Sequence, residues 1–63
     1  MDRVKNKVAI ITGGASGLGK SSAILLAREG AKIVITDLDE EKGNKVVQQI
    51  KNDSGEAIFI KQD

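Results

Sequence analysis

A glycine-rich turn between an apolar run and a helical pattern constrains this chain more than any other feature. The apolar run covers residues 8–11, the helical pattern covers residues 18–29, and the turn carries Gly13, Gly14, Gly17 and Gly19. Backbone N–H groups of such a turn point where the positive end of the helix dipole also points, which suits a phosphate group. Glycines are costly in backbone entropy. Their fixed spacing therefore predicts a phosphate-binding strand–turn–helix unit.

The turn fits two phosphate-binding patterns. Gly13-x-x-x-Gly17-x-Gly19 matches a dinucleotide-binding turn, whereas Gly14-x-x-x-x-Gly19-Lys20-Ser21 matches the P-loop of nucleoside-triphosphate-binding proteins. In the P-loop interpretation, Lys20 reaches a β- or γ-phosphate and Ser21 binds Mg²⁺. The dinucleotide interpretation uses Asp37, which lies 24 residues after Gly13, near the spacing of about 20 residues for a ribose-binding acid. We favour the dinucleotide interpretation, with Lys20 as a surface lysine.

The hydrophobic pattern predicts strands over residues 8–12, 32–36 and 57–61, separated by two helices. The first helix covers residues 18–29 and stops at Gly30. Its predicted apolar face consists of Leu18, Leu25 and Leu26 and is widened by Ala23, Ile24 and Ala27. Asp39 is the predicted N-cap of the second helix. The buried face of that helix is predicted to hold Gly43, Val46, Val47 and Ile50. Alternating strands and helices predict an α/β fold with three parallel strands in the order 3-2-1, which is the β-α-β-α-β half of a doubly wound Rossmann fold.

The chain is short for such a fold. It has 63 residues, no cysteine and no histidine, yet 40% of its residues are hydrophobic. The first strand has the composition of a strand buried on both faces of a parallel sheet. In a three-stranded half, Val8, Ile10 and Ile11 would lack half of that cover. We therefore expect residues 1–63 to be the N-terminal part of one dinucleotide-binding domain, with the remainder of the domain absent.

Composition argues against several other classes of protein. The net charge is +1, acidic and basic residues are well mixed, and Phe59 is the one aromatic residue, so nucleic-acid binding is not predicted. No run is long enough for a transmembrane helix, and residues 1–7 are too polar to begin a secretory signal. We expect a cytoplasmic protein without a membrane partner. No metal site is predicted, because there is no histidine or cysteine cluster.

The strand-end acid also predicts which dinucleotide binds. A carboxylate at Asp37 can accept hydrogen bonds from the hydroxyl groups of the adenosine ribose, and it would repel the 2′-phosphate of NADP. Neither neighbouring position that could hold a compensating cation, Ser16 or Leu38, is basic. The sequence therefore predicts NAD as the cofactor, with NADP disfavoured.

These motifs resemble those of the short-chain dehydrogenase/reductase family. Thr12-Gly13 followed by Gly17-Leu18-Gly19 is similar to the Thr-Gly-x-x-x-Gly-x-Gly opening of that family, and residues 26–33 resemble its passage into the second strand. The resemblance covers nearly the whole chain. It implies a Rossmann fold, an NAD(P)-dependent oxidoreductase that acts on a small-molecule alcohol or ketone, and a homo-oligomer. It also implies these cofactor-binding residues: Thr12, Gly13, Ser16, Gly17, Leu18, Gly19, Asp37, Leu38 and Asp63.

The resemblance also shows what the chain lacks. The catalytic Ser, Tyr and Lys of the family lie beyond residue 63, and this sequence contains no tyrosine. No catalytic residue is therefore assigned within the chain, and the 63 residues alone are expected to have no dehydrogenase activity. The implied function is cofactor binding in an oxidoreductase that interconverts a secondary alcohol and a ketone. A P-loop nucleotide-binding module and a non-catalytic NAD-sensing Rossmann protein remain as alternatives.

Overall fold

The computed structural model describes residues 6–62 and contains five elements in the predicted order. The strands are β1 (Val8–Thr12), β2 (Lys32–Asp37) and β3 (Glu56–Lys61), and the helices are α1 (Gly17–Arg28) and α2 (Glu40–Asn52). The three strands are parallel and lie in the order β1-β2-β3. This arrangement confirms the predicted β-α-β-α-β half of a Rossmann fold.

The ends of the helices follow the predicted capping residues. Asp39 caps α2, because its side chain accepts a hydrogen bond from the Lys42 amide at 3.0 Å. Gly30 follows α1 with a φ of +99°, a backbone conformation that favours glycine. Strand β1 has its predicted bounds, and the other predicted boundaries of strands and of α1 agree with the structure to within one residue. The difference with a consequence is that Asp37 is the last residue of β2.

Both helices pack on one face of the sheet and form its hydrophobic core. Ile33, Ile35 and Ile50 are the largest fully buried side chains. Helix α2 lies so close to β3 that a Cβ atom at Gly43 would overlap the ring of Phe59. The predicted buried face of α2 is confirmed: Gly43, Val46, Val47 and Ile50 are all buried.

The opposite face of the sheet is open, and we call it the open apolar face. Its exposed side chains are Val8, Ile10, Ile58 and Ile60, each more than half exposed. The composition of strand β1 predicts burial on both faces of the sheet, but in this structure only one face of the strand is covered. The expectation that Ile11 also lacks cover is wrong, since the strand alternates and Ile11 points toward the helices and packs against the core.

Helix α1 contacts the sheet through small side chains. Ala23 and Ala27 are buried, while Leu18 and Leu25 are 88% and 59% exposed. The prediction that both leucines belong to the buried face is wrong. Alanine at the contact positions lets the helix axis approach the sheet closely, and the larger residues are left at the margin and in the first turn. No helix in residues 6–62 is long and apolar enough to span a membrane.

Candidate functional site

The glycine-rich turn lies at the carboxyl ends of the strands and is tied to β2. The amides of Gly13 and Gly14 both donate hydrogen bonds to the Thr36 carbonyl oxygen, at 2.8 and 3.4 Å. A Cβ atom at Gly14 would lie 2.8 Å from Cγ2 of Ile35. The turn therefore rests directly on the end of the neighbouring strand, and only glycine permits this approach at position 14.

Two other glycines of the turn have different roles. Gly19 packs against the turn itself, because a Cβ atom there would overlap the carbonyl oxygen of Gly13. Gly17 has a φ of +60°, and a Cβ atom there would have no heavy atom within 4 Å. The space in front of Gly17 is thus open to an incoming molecule, whereas the space in front of Gly19 is occupied by the backbone of the turn.

The N-terminus of α1 presents backbone N–H groups without acceptors. Ser16 occupies the N-cap position, but its side chain makes no capping hydrogen bond, and the first turn contains no acidic residue. The first helical hydrogen bond runs from the Lys20 amide to the Ser16 carbonyl at 3.3 Å. In the described part of the chain, the amides of residues 16–19 have no acceptor. Unpaired donors at the positive end of a helix fit an anionic group.

The carboxylate of Asp37 is held beside this turn by two backbone amides. Its Oδ1 atom accepts a hydrogen bond from the Asp39 amide at 2.9 Å, and its Oδ2 atom accepts one from the Ala15 amide at 3.1 Å. These bonds, the one from Asp39 first, lower the pKa of Asp37 below its ordinary value, and the charge of Lys42 adds to the effect while partial burial opposes it. The side chain is therefore an ionised acceptor at neutral pH.

The structure brings the predicted site residues together at one edge of the sheet. Thr12 ends β1, Leu38 follows Asp37 directly after β2, and the predicted residues of the turn lie between them. Leu18 projects into solvent from the first turn of α1. Asp63, the predicted residue at the end of the third strand, lies outside the described residues.

Sequence analysis missed a groove beside the turn, which we call the lysine groove. It has a volume of about 330 Å³ and lies between the start of α1 and one face of α2. The residues that line it are Ala15, Ser16, Gly17, Lys20, Lys42, Lys45, Val46 and Gln49. The spacing of Lys42, Lys45 and Gln49 puts them on one face of a helix. That spacing was visible in the sequence, but the packing of this face beside the turn was not.

Metal-binding residues are not gathered in the described region. Within residues 6–62, no three histidine, cysteine, aspartate or glutamate side chains are placed to hold one ion. The acidic side chains nearest the turn serve the backbone instead, since Asp37 accepts from Ala15 and Asp39 accepts from Lys42.

Comparison with known proteins identifies the wider group to which this chain is related. The chain is 58% identical over 60 residues to an uncharacterised oxidoreductase of Listeria monocytogenes, a match that covers 95% of this chain and 24% of that protein. It is 45% identical over 60 residues to the cyclopentanol dehydrogenase of a Comamonas species, again covering 95% of this chain and 24% of that protein. The chain therefore spans about a quarter of the length of these relatives.

Solved structures match the fold over almost the whole chain. A short-chain dehydrogenase/reductase from Burkholderia phymatum in complex with NAD superposes with a TM-score of 0.92 at 35% identity, covering 100% of this chain and 22% of that one. A metagenomic short-chain oxidoreductase in complex with NADP superposes with a TM-score of 0.92 at 35% identity, covering 95% of this chain and 27% of that one. The family model described as "short chain dehydrogenase" matches residues 7–63. The chain accordingly belongs to the short-chain dehydrogenase family.

Proposed function

We propose that this chain is the cofactor-binding N-terminal segment of an NAD-dependent dehydrogenase that interconverts a secondary alcohol and a ketone. The observation that carries the proposal is the pairing of an ionised Asp37 with the uncapped start of α1, joined by the hydrogen bond from Ala15 to Asp37. One end of this site supplies acceptors for hydroxyl groups. The other end supplies N–H donors for a phosphate anion.

The chain's residues fit the adenosine half of a nicotinamide dinucleotide. The amides of residues 16–19 would hold the pyrophosphate, and Gly17 leaves room for its approach. Asp37 would accept hydrogen bonds from the ribose hydroxyl groups, and Leu38, the next residue, offers exposed apolar surface beside it. Leu18 offers exposed apolar surface at the start of α1. When bound, the cofactor supplies hydride transfer. The amides of residues 16–19 and the carboxylate of Asp37 would bind and orient it.

The choice of NAD over NADP rests on the charge of Asp37. A carboxylate and a 2′-phosphate a few ångströms apart repel each other by a few kcal/mol at an effective dielectric constant of about 20. One solved relative is in complex with NAD and another is in complex with NADP, so family membership leaves the choice open. The secondary-alcohol substrate is supported by relatives named cyclopentanol dehydrogenase and cyclohexanol dehydrogenase.

The test is made on the full-length protein. NADH formation should be measured with cyclopentanol and cyclohexanol, and kcat/KM should be compared for NAD and NADP. We expect turnover with NAD and a Tyr-x-x-x-Lys pair downstream of residue 63. The absence of that pair would refute the proposal that the protein is a dehydrogenase. NAD binding without turnover of any alcohol would favour a non-catalytic NAD-sensing protein.

The P-loop alternative is less well supported by the geometry. Helix α1 begins at Gly17, so Lys20 is its fourth residue, and its side chain lines the lysine groove beside α2. We expect Lys20→Ala to change the affinity for NAD by less than about twofold, because the effect of one exposed charge is small. Mg²⁺-dependent ATP binding that is lost in this variant would instead support the P-loop.

A further inference from the structure

We propose that Asp37 is a positioning residue for the glycine-rich turn, in addition to being the acceptor for the ribose hydroxyl groups. In this role its side chain fixes the turn before any ligand arrives, so that the free amides of residues 16–19 already point to one place. The inference rests on the proposed function for the ligand of those amides. The tie between the turn and β2 is present in the structure itself and can be tested without a cofactor.

Three successive amides of the turn are bound by two successive residues at the end of β2. The amides of residues 13–14 donate to the Thr36 carbonyl oxygen at 2.8 and 3.4 Å, and the Ala15 amide donates to Oδ2 of Asp37 at 3.1 Å. The next four amides, those of residues 16–19, have no acceptor within the described part of the chain. The boundary between bound and free donors therefore falls directly after the residue that Asp37 holds.

Among these three hydrogen bonds, the one from Ala15 depends on a side chain. Any residue at position 36 offers a carbonyl oxygen to the glycine amides, but the Ala15 amide needs the carboxylate of Asp37. Ala15 is 5% exposed, so its amide has little access to water. A buried donor that loses its acceptor is costly. We therefore expect the turn to separate from β2 when this acceptor is removed, and the free amides to lose their alignment.

The carboxylate of Asp37 is held in place from its other side as well. Its Oδ1 atom accepts a hydrogen bond from the Asp39 amide at 2.9 Å, and its backbone carbonyl accepts one from the Gln62 amide at 2.9 Å. Asp39 is exposed, so its amide can donate to water when Oδ1 is absent. The contact with Ala15 is therefore the one that a replacement side chain must preserve.

A residue that contacted only the ribose would act on an anion in the opposite way. Because the backbone amides of Asp39 and Ala15 lower its pKa, Asp37 is ionised at neutral pH. Its negative charge repels a pyrophosphate bound at residues 16–19. Removing that charge from a residue with no further role should leave pyrophosphate binding unchanged or strengthen it. Removing the acceptor from a residue that positions the turn should weaken the same binding.

The experiment uses the full-length protein and inorganic pyrophosphate, a probe without a ribose. Calorimetry should give its Kd for the native protein and for Asp37→Ala, Asp37→Asn and Asp39→Ala. Asparagine keeps one acceptor oxygen for the Ala15 amide without the charge. Asp39→Ala is the matched control, because it removes the cap of α2 and leaves the hydrogen bonds of the turn intact. We expect Asp37→Ala to weaken binding about fivefold, as the loss of one hydrogen bond predicts, and the other two variants to weaken it less than about twofold.

Amide hydrogen exchange of the ligand-free protein, followed by NMR, measures the tie directly. In Asp37→Ala we expect the amides of Gly13, Gly14 and Ala15 to exchange at least about tenfold faster than in the native protein. Asp37→Asn should restore most of this protection, and the control should change none of it. Faster exchange at Ala15 alone would overturn the inference, because Asp37 would then satisfy one donor without positioning the turn.

Equal affinities of Asp37→Ala and Asp37→Asn for pyrophosphate would also overturn the inference, because the retained acceptor would then have no effect. Where the native protein binds no pyrophosphate, the exchange measurement alone decides the inference. A native protein that fails to bind NAD as well would refute the proposed function, and the exchange rates would still show whether Asp37 holds the turn.

Discussion

The two helices of this chain begin in opposite ways. Helix α2 has an aspartate cap, Asp39, and two glutamates in its first turn, so its free N–H groups and its dipole are matched by its own side chains. Helix α1 has no side-chain cap and no acid in its first turn. Two helices on the same face of one sheet thus differ in whether their positive ends are satisfied internally. The comparison indicates that the N-terminus of α2 is stabilised by its own side chains, whereas the N-terminus of α1 keeps N–H groups that can donate to a ligand.

The largest predicted effect is a loss of affinity for NAD when the space in front of the N-terminus of α1 is filled. Gly17→Val places a β-branched side chain where φ is +60° and where the way to the helix N-terminus is open. We expect NAD affinity of the full-length protein to fall at least about a hundredfold, which is about 2.8 kcal/mol. Calorimetry measures the loss. Gly30→Val is the matched control, because it strains the backbone at the other end of α1, where φ is +99°. If both variants lose affinity equally, the loss reflects folding and not access.

The second-largest predicted effect is a change in the preference for NAD over NADP when Asp37, the acid beside α1, is replaced. Asp37→Ala combined with Leu38→Arg removes the carboxylate and adds a cation at the end of β2. We expect the ratio of kcat/KM for NAD to that for NADP to fall about a hundredfold, because a repulsion of a few kcal/mol is replaced by an attraction. Leu38→Gln alone is the control and should leave the ratio within about threefold, since it adds no charge. An unmutated enzyme that prefers NADP would show that this role for Asp37 is wrong.

A smaller effect is expected on the free energy of unfolding, which should depend on the residue that caps α2 and not on the residue at the N-cap of α1. Asp39→Ala removes the hydrogen bond to the Lys42 amide and should lower the free energy of unfolding by about 1 kcal/mol. Ser16→Ala removes a side chain that caps nothing, and we expect a change within about 0.5 kcal/mol. Urea unfolding of the ligand-free full-length protein measures both. A larger loss for Ser16→Ala than for Asp39→Ala would contradict the contrast between the helices.

The smallest effect lies in the titration of Asp37. Its pKa in the folded protein is lowered below the ordinary value of 3.8, so the stabilisation from its ionised form is present above that pH and is lost as pH falls through the folded value. Carbon-detected NMR of the carboxyl group should give a midpoint below 3.8. Lys42→Gln should raise the midpoint slightly, because the charge of Lys42 contributes less than the Asp39 and Ala15 amides. A midpoint above the ordinary value would mean that burial outweighs these hydrogen bonds.

Local patterns in the sequence were sufficient to predict the fold. Strand β1 has its predicted bounds, Asp39 caps α2, and Gly30 follows the end of α1, because each depends on residues close together in the chain. The burial of Leu18 and Leu25 was predicted wrongly, since the leucines fit the helical period but alanines make the contact with the sheet. Periodicity identifies a face without giving the distance at which it packs.

The candidate site was predictable only where it depends on spacing. The distance from Gly13 to Asp37 is encoded in the sequence, and the structure places the two segments side by side. The amides of the turn donate to the backbone carbonyl of Thr36. Because every residue has a backbone carbonyl, the sequence does not indicate which one accepts these hydrogen bonds. The lysine groove needs two helices to be packed before Lys20 and Lys45 line the same cleft. Such features arise from tertiary structure.

The open apolar face has a consequence for synthesis of the full-length protein. The matched relatives are about 250 residues long, since 60 residues make up 24% of them. If the full-length protein is as long as these relatives, a ribosome that adds about 5–20 residues per second needs roughly ten to forty seconds to make the part that follows this segment. During that time Val8, Ile10, Ile58 and Ile60 stay in contact with water, because strands β1 and β3, which carry them, have already been made. We expect this nascent segment to be a binding site for ribosome-associated chaperones until later parts of the chain cover it.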